Sequence, residues 1–373
     1  MAFSLMEGNE AVAWGAVTAG CRFFAGYPIT PATTIFATML NLLPPLGGIC
    51  IQGEDEIASI GYCLGASMAG MKVMTATSGP GISLCSENIS FAVGSEIPIV
   101  IVDVQRLGPS TGSATRGADG DIQFLRWGSS GGIPVIVLAP VDVKDCFYLS
   151  MEAFNLAEQF RCPVFIASNK EIAMTRESID LDAIVRPQSK DREAPPPGRP
   201  FLPFQIDGDR MVPYFLPIGG NTLVRQTSST HGPEGYITTD PNEISRTLNR
   251  LKMKLDTQVD AFCFYEFHGK PNAETLVLTY GITARAARVA FELLRDEGYS
   301  LSLLVLKTLW PVPRAFIREK AENAGRLVVV EMNLGQYVKE IERILPEKRI
   351  DFFGQMNGKL ITPTQIREFV TRG

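Results

Sequence analysis

Residues 26–122 contain GYPITPATT (26–34), QGEDEIASIG (52–61), ATSGPGISL (76–84) and VDVQRLGPSTG (102–112), four successive switches from apolar to polar text. In an open α/β sheet such switches mark the carboxyl ends of strands, where ligands bind. Short apolar runs precede them, including CRFFAG, KVMTA and IPIVIV, and helix-forming text such as ATTIFATMLNLL and EIASIGYCLGASMAG follows. Further strands are read in IPVIVL and CPVFIA, where Pro134 and Pro163, like Pro98 of IPIVIV, stand at the strand start. A missing N–H is tolerated there. The runs are continuously apolar, which predicts buried parallel strands covered by helices on both faces.

Outward from this stretch, residues 7–20 are Ala-rich with helical spacing and stop at Gly20, and DCFYLSMEAFNLAEQF predicts another helix. Residues 188–205 are Pro-rich and polar, a linker or surface excursion. Residues 206–240 resist assignment, and a helix follows with Asp240 and Asn242 as candidate caps. TLVLTYG, LSLLVLKTLWPVP and RLVVVEMN are then read as strands of a smaller α/β unit. The expected division is 1–187, a connection over 188–270, and 271–373.

Composition narrows the function. The net charge is −5 with no basic block, which argues against nucleic acid. No apolar run approaches the ~20 residues of a membrane helix, and the N-terminal text lacks a secretory pattern. A soluble cytoplasmic protein is expected. The seven cysteines include no C-x-x-C pair, which suits reduced core thiols and leaves no cluster-binding set. Two histidines make a zinc site unexpected.

Several side chains stand out. Pro31 biases Thr30 toward an extended backbone, so its hydroxyl either faces a crevice or belongs to an ordinary proline turn. Glu54, Asp55 and Glu56 open a helix, and capping accounts for two of them. Glu56 enters apolar text and needs a partner, unless it is a solvated first-turn residue. TATSGPG lacks the Gly-Lys-Ser/Thr of a P-loop, so Gly79 and Gly81 permit a tight turn and close approach, with Ser78 on a plausible substrate side. Arg106, directly after an apolar strand, is either a forked carboxylate binder or a loop anchor. Arg116, Asp119 and Asp121 share its loop. Cys85 is expected to be a core thiol rather than a nucleophile.

Together these motifs resemble the α subunit of the 2-oxoacid:ferredoxin oxidoreductases. The resemblance runs through GYPITPAT, GEDEIASIG, TATSGPGISL and VDVQRLGPSTG, and resumes at VLTYG, KTLWPVP and VEMNLGQ. It implies a pyrimidine-type thiamin-diphosphate-binding domain followed by a transketolase C-terminal-like domain. Glu56 matches the glutamate that engages the cofactor aminopyrimidine N1′, with Tyr27 and Pro28 also at the cofactor. Thr30 and Arg106 match residues at the 2-oxoacid and its carboxylate, beside Ile29, Ser78 and Gly79.

The resemblance further implies oxidative decarboxylation with coenzyme A and electron transfer to ferredoxin. The chain has no Gly-Asp-Gly motif with its downstream asparagine. Mg2+, the cofactor diphosphate and a [4Fe-4S] cluster are therefore expected on a β subunit, in an α2β2 assembly with or without a γ subunit. The domain that some members carry ahead of GYPITP is not seen before residue 26. VQRLGPSTG and SENI resemble the 2-oxoglutarate branch, with branched-chain 2-oxoacids or pyruvate as alternatives, and Arg116 or Arg126 as neutralisers of a distal carboxylate. A transketolase-type lyase and a non-catalytic regulatory subunit are the competing classes. Retention of both Glu56 and Arg106 weighs against the regulatory reading.

Overall fold

The computed structural model describes residues 3–372. Its strands are β1 (Phe3–Glu7), β2 (Phe23–Gly26), β3 (Ile49–Gln52), β4 (Val73–Thr77), β5 (Ile99–Gln105), β6 (Ile136–Leu138) and β7 (Pro163–Asn169). They continue as β8 (Arg176–Asp180), β9 (Tyr265–Gly269), β10 (Thr275–Tyr280), β11 (Leu301–Leu306), β12 (Thr308–Trp310), β13 (Arg326–Glu331) and β14 (Arg349–Gly354).

The larger sheet has the order β12-β6-β7-β5-β4-β2-β3. Every pair in it is parallel except β12 with β6. All residues of β4, β5 and β7 are buried, as their unbroken apolar text predicts. Helices Gly8–Thr18 and Val143–Phe160 pack together against one face of this sheet. The first of these helices fits closely because a Cβ on Gly15 would lie 2.4 Å from the Phe147 carbonyl.

The second sheet, β14-β13-β10-β11-β9, is parallel apart from its edge strand β9. That strand precedes the expected start of the second unit at 271. A separate antiparallel pair joins β1 to β8.

Several expected elements differ in detail. LSLLVLKTLWPVP is not one strand, because it divides at Lys307 and its two parts enter different sheets. The Ala139 amide donates to the Lys307 carbonyl at 2.7 Å, at the point where the chain leaves β11 and pairs as β12 with β6. Lys307 also pairs with Asp145 of the first unit and Glu266 of the second, each at 2.8 Å. PGISLCSENISFAVG, whose sequence reads as one helix, is two helices meeting at Cys85, Pro80–Leu84 and Ser86–Gly94. The helix after the proline turn opens at Thr33.

Residues 181–239 form neither helix nor strand, yet they are anchored. Buried Arg192 pairs with buried Glu158 at 2.8 Å and donates to the carbonyls of Ser67 and Met71. The stretch after them returns as the helix Pro241–Asp256, capped by Asp240 as expected. Its Arg250 and Lys254 reach the fully buried Glu96, each at 2.8 Å. Among the described residues no helix is long and apolar enough to cross a membrane.

Candidate active site

Three strand ends and one helix start build the site. Asp55 caps the helix Glu56–Met68 by accepting from the Ala58 amide at 2.7 Å, and Glu54 accepts from the Tyr62 hydroxyl. These are the two ordinary carboxylates. Glu56 is the exception: the residue is 7% exposed, and no hydrogen bond to its carboxylate is present among the described residues. It turns toward the helix that follows β4. A Cβ on Gly81 would lie 2.4 Å from Glu56 Oε1 and 2.1 Å from Thr77 Oγ1, so only glycine leaves room for both side chains. Gly79 turns the chain out of β4 with φ +32, a conformation that favours glycine. Thr77 Oγ1 and Ser78 Oγ, both buried, also lack partners.

Arg106 leaves the end of β5 and is 6% exposed. Its Nη1 donates to the Thr30 carbonyl at 2.6 Å, and its Nε has no partner. The structure therefore brings Thr30 and Arg106 together across 76 residues of sequence. The proline turn is held from below by Asn9, which donates to the Pro31 carbonyl at 2.8 Å and to Thr34 Oγ1 at 2.7 Å. Thr30, Pro28 and Tyr27 are exposed, and Ile29 is half-buried against the core.

The loop after Arg106 is clamped by the second unit. The Asp119 amide donates to the Met332 carbonyl at 2.9 Å, and Asn333 donates to the Asp119 carbonyl at 2.9 Å. Gln123 and Gln336 bond to one another's groups, and Gln336 also reaches the Gly120 carbonyl at 2.5 Å. Buried Glu331 shapes the clamp by accepting from the Tyr337 and Val338 amides and the Tyr280 hydroxyl. VEMNLGQ thus positions a loop of the first unit. Arg126 donates to the carbonyls of Gly132 and Ile133 and lies over Trp127, while Arg116 is exposed beside Gly358.

Burial raises the acids of this loop. Asp119 is pushed up to about 7 by burial, against its hydrogen bond from Asn169 and with Glu331 and Asp121 adding to the rise. Asp103, inside β5, is pushed well above the carboxylate range by burial and by the Asp121 charge. Sequence reasoning passed over Asn9 and Asp103. Their signals were a lone amide in Ala-rich text and a lone acid inside IPIVIVDVQ.

Cys85 is a core thiol, pushed up to about 12 by burial. All seven cysteines are free, with Cys50 and Cys263 only half-buried. The described residues hold no group of three or more His, Cys, Asp or Glu placed to bind a metal.

Comparison with known proteins matches both halves of the chain. Residues 14–249 match the thiamin-diphosphate-binding model of pyruvate flavodoxin/ferredoxin oxidoreductases, and 273–366 match core domain II of pyruvate:ferredoxin oxidoreductase. The chain is 40% identical to 2-oxoglutarate synthase subunit KorA of Archaeoglobus fulgidus, covering 99% of each chain. It is 34% identical to ketoisovalerate oxidoreductase subunit VorB of Methanothermobacter thermautotrophicus, covering 99% of this chain and 97% of the relative. A solved 2-oxoglutarate:ferredoxin oxidoreductase from Magnetococcus marinus, with 2-oxoglutarate, coenzyme A and succinyl-CoA bound, superposes with a TM-score of 0.93 at 32% identity. The match covers 99% of this chain and 65% of the Magnetococcus chain. A split-gene transketolase shares the fold at 13% identity and a TM-score of 0.58. With both halves matched in order and relatives aligned almost end to end, the chain belongs to the 2-oxoacid:ferredoxin oxidoreductase family.

Proposed function

We propose that this chain is the α subunit of a thiamin-diphosphate-dependent 2-oxoglutarate:ferredoxin oxidoreductase, converting 2-oxoglutarate and coenzyme A to succinyl-CoA and CO2. The observation that carries this reading is the Glu56 carboxylate, on a residue only 7% exposed and without a hydrogen bond among the described residues, beside the space that Gly81 leaves open. A shielded carboxyl group needs a partner, and an aminopyrimidine nitrogen sharing one proton with it supplies that partner. The residues present therefore fit the pyrimidine end of the cofactor, with Tyr27 and Pro28 exposed nearby to flank it. When bound, thiamin diphosphate supplies a carbanion nucleophile and an electron sink for decarboxylation.

The chain's own groups hold and orient. Glu56 holds a proton at the aminopyrimidine N1′. Arg106 offers its forked donors to the 2-oxoacid carboxylate, with Thr30 bonded beside it, Gly79 against its side chain, and Ile29 and Ser78 on the adjoining segments. Tyr27, Ile57, Tyr62 and Leu84, on the segments that carry the site residues, are exposed apolar side chains. Such a patch suits a partner surface. We place the Mg2+, the diphosphate anchor and the iron–sulfur cluster on that β subunit, in an α2β2 assembly that reduces ferredoxin in the cytoplasm. Relatives named for 2-oxoglutarate reach 40% identity against 34% for those named for ketoisovalerate, which supports 2-oxoglutarate as substrate.

The isolated chain is expected to show no dye reduction with thiamin diphosphate, Mg2+, coenzyme A and 2-oxoglutarate, whereas the α–β complex turns over. Robust turnover by the isolated chain would show that the missing half of the site lies within it. In the complex, kcat/KM across a 2-oxoacid panel should be highest for 2-oxoglutarate; a higher value for a branched-chain acid reassigns the substrate.

Arg106→Ala should lower kcat/KM for the 2-oxoacid roughly 10- to 150-fold, the equivalent of a charge-assisted bond of ~1.5–3 kcal/mol. Lysine at this position should restore only part of the loss. If coenzyme A affinity changes and 2-oxoacid kinetics do not, Arg106 serves the acyl-acceptor site instead.

A further inference from the structure

Behind Arg106 lies a pair of acids that the reaction described above does not use. Asp103 projects from β5, the strand at the centre of the larger sheet, and is fully buried. Both of its carboxylate oxygens lack a hydrogen-bond partner. Asp121 stands at the start of the helix Ile122–Trp127, and its buried Oδ2 lacks a partner as well. The two carboxyls lie within hydrogen-bonding reach of each other. The contact is tethered, because the Asp121 amide donates to Gln105 Oε1 at 2.9 Å and Gln105 in turn donates to the Ser168 carbonyl at 3.2 Å.

Ionised carboxylates only accept hydrogen bonds. Two of them in contact, shielded from water, satisfy each other when one carries a proton, and like charges so close do not both ionise. We propose that Asp103 and Asp121 share a single proton, so that one negative charge rather than two faces Arg106, and that this charge state sets how firmly Arg106 holds the carboxylate of the 2-oxoacid. The proposal rests on the reading of Arg106 as the carboxylate binder.

The surroundings favour the shared proton. The groups facing the pair are the Gly79 amide from the turn after β4, Cys85 from the helix junction behind it, Arg106 from the end of β5 and Asp119 from the loop. Glu331 of β13 acts through Asp119. Arg106 is the cation among them. Burial raises both acids, and the Arg106 charge offsets part of the rise at Asp121. On the same face of the sheet, the register partner of Asp103 is Thr77, which touches the space beside Glu56. The pair therefore underlies the pocket rather than a remote part of the core.

The charge arithmetic gives the consequence. With one proton shared, the pair and Arg106 sum to zero and an incoming anion meets no net repulsion. When the shared proton leaves, the sum is −1 and anion binding weakens. The pair is thus a positioning device for Arg106.

The test uses the assembled α–β complex. In wild type, KM for 2-oxoglutarate should rise on the order of tenfold through one alkaline ionisation, with kcat changing less. Asp103→Asn carries a permanent donor toward Asp121 and should remove that rise. Difference infrared spectroscopy should show a protonated-carboxyl band at neutral pH that Asp103→Asn abolishes. If Asp103→Asn does not fold, Asp121→Asn is measured in the same way.

Absence of the band in wild type overturns proton sharing, whatever Arg106 does. A band together with identical KM profiles in wild type and variant overturns the link to substrate binding. If Arg106→Ala leaves 2-oxoacid KM unchanged while the band persists, the fault lies in the reading of Arg106, and the link to substrate binding falls with it.

Discussion

Replacing Glu56 by glutamine is expected to lower kcat of the α–β complex by at least about 100-fold, the scale of a positioned proton-transfer group. Glutamine has the same shape, so it fills the space against Gly81 and Thr77 and the chain should fold normally. What it loses is the ability to hold a proton against a ring nitrogen. The loss should fall on kcat, because cofactor activation precedes every product-forming step, and KM for the 2-oxoacid should move little. The measurement is steady-state dye reduction at saturating thiamin diphosphate, paired with a thermal melt of the variant. A folded variant with near-normal kcat would remove Glu56 from the mechanism and leave its burial unexplained.

The second large effect concerns stability. Glu96 is fully buried, accepts bonds from Arg250 at both oxygens and from Lys254 at one, and lends its carbonyl to Arg161 at 3.1 Å. Removing one member of a buried ion group leaves its partners charged and dry, which costs about 3–5 kcal/mol. Glu96→Ala should therefore be less stable by that amount in chemical denaturation, and the helix Pro241–Asp256 should lose amide-exchange protection first.

The pH dependence has a definite sign. Burial alone would raise the Glu96 carboxyl, but the Lys254 and Arg250 charges hold it well below its ordinary value of 4.5. The folded state therefore binds fewer protons than the unfolded state over the acid range. Its contribution is fully present above about pH 4.5 and is withdrawn as the pH falls toward the folded-state value. The stability gap between wild type and variant should narrow in acid. A gap independent of pH between 7 and 3 would mean that packing rather than charge sets the loss.

Strand ends, with their Gly and Pro punctuation, were the legible part of this chain. β2, β4, β5 and β7 lie where the apolar runs place them, because a buried parallel strand needs little beyond unbroken apolar text. Thr30, Glu56 and Arg106 were visible as polar residues interrupting such text at those ends. What local text does not carry is pairing at a distance. β1 and β8 are amphipathic edge segments separated by most of the first unit, and they acquire strand character only from each other. β12 reads as a continuation of β11 because both are apolar, and the break comes from distant partners: Ala139 takes the Lys307 carbonyl, and the Lys307 and Thr308 amides donate to Phe264. Glu96 draws its partners from 154 and 158 residues away. Asp103 looked like a strand residue because its neighbours are, and its significance appears only once Asp121 stands beside it.

The placement of β12 bears on how the protein can be divided. Because Thr308–Trp310 supplies an outer strand to the larger sheet, a fragment ending near residue 270 would leave β6 with one side bare. β6 is only Ile-Val-Leu, all buried in the whole chain, with no charge or proline to discourage a stray neighbour. Such an edge is a template for self-association. The N-terminal piece expressed alone should form aggregates rather than a tidy half-enzyme. Supplying the missing piece in trans should rescue its solubility only if that piece includes residues 307–310. The two halves of this chain are in this sense chaperones for one another, and a gene rearrangement that exchanged either half would have to carry those few residues with it.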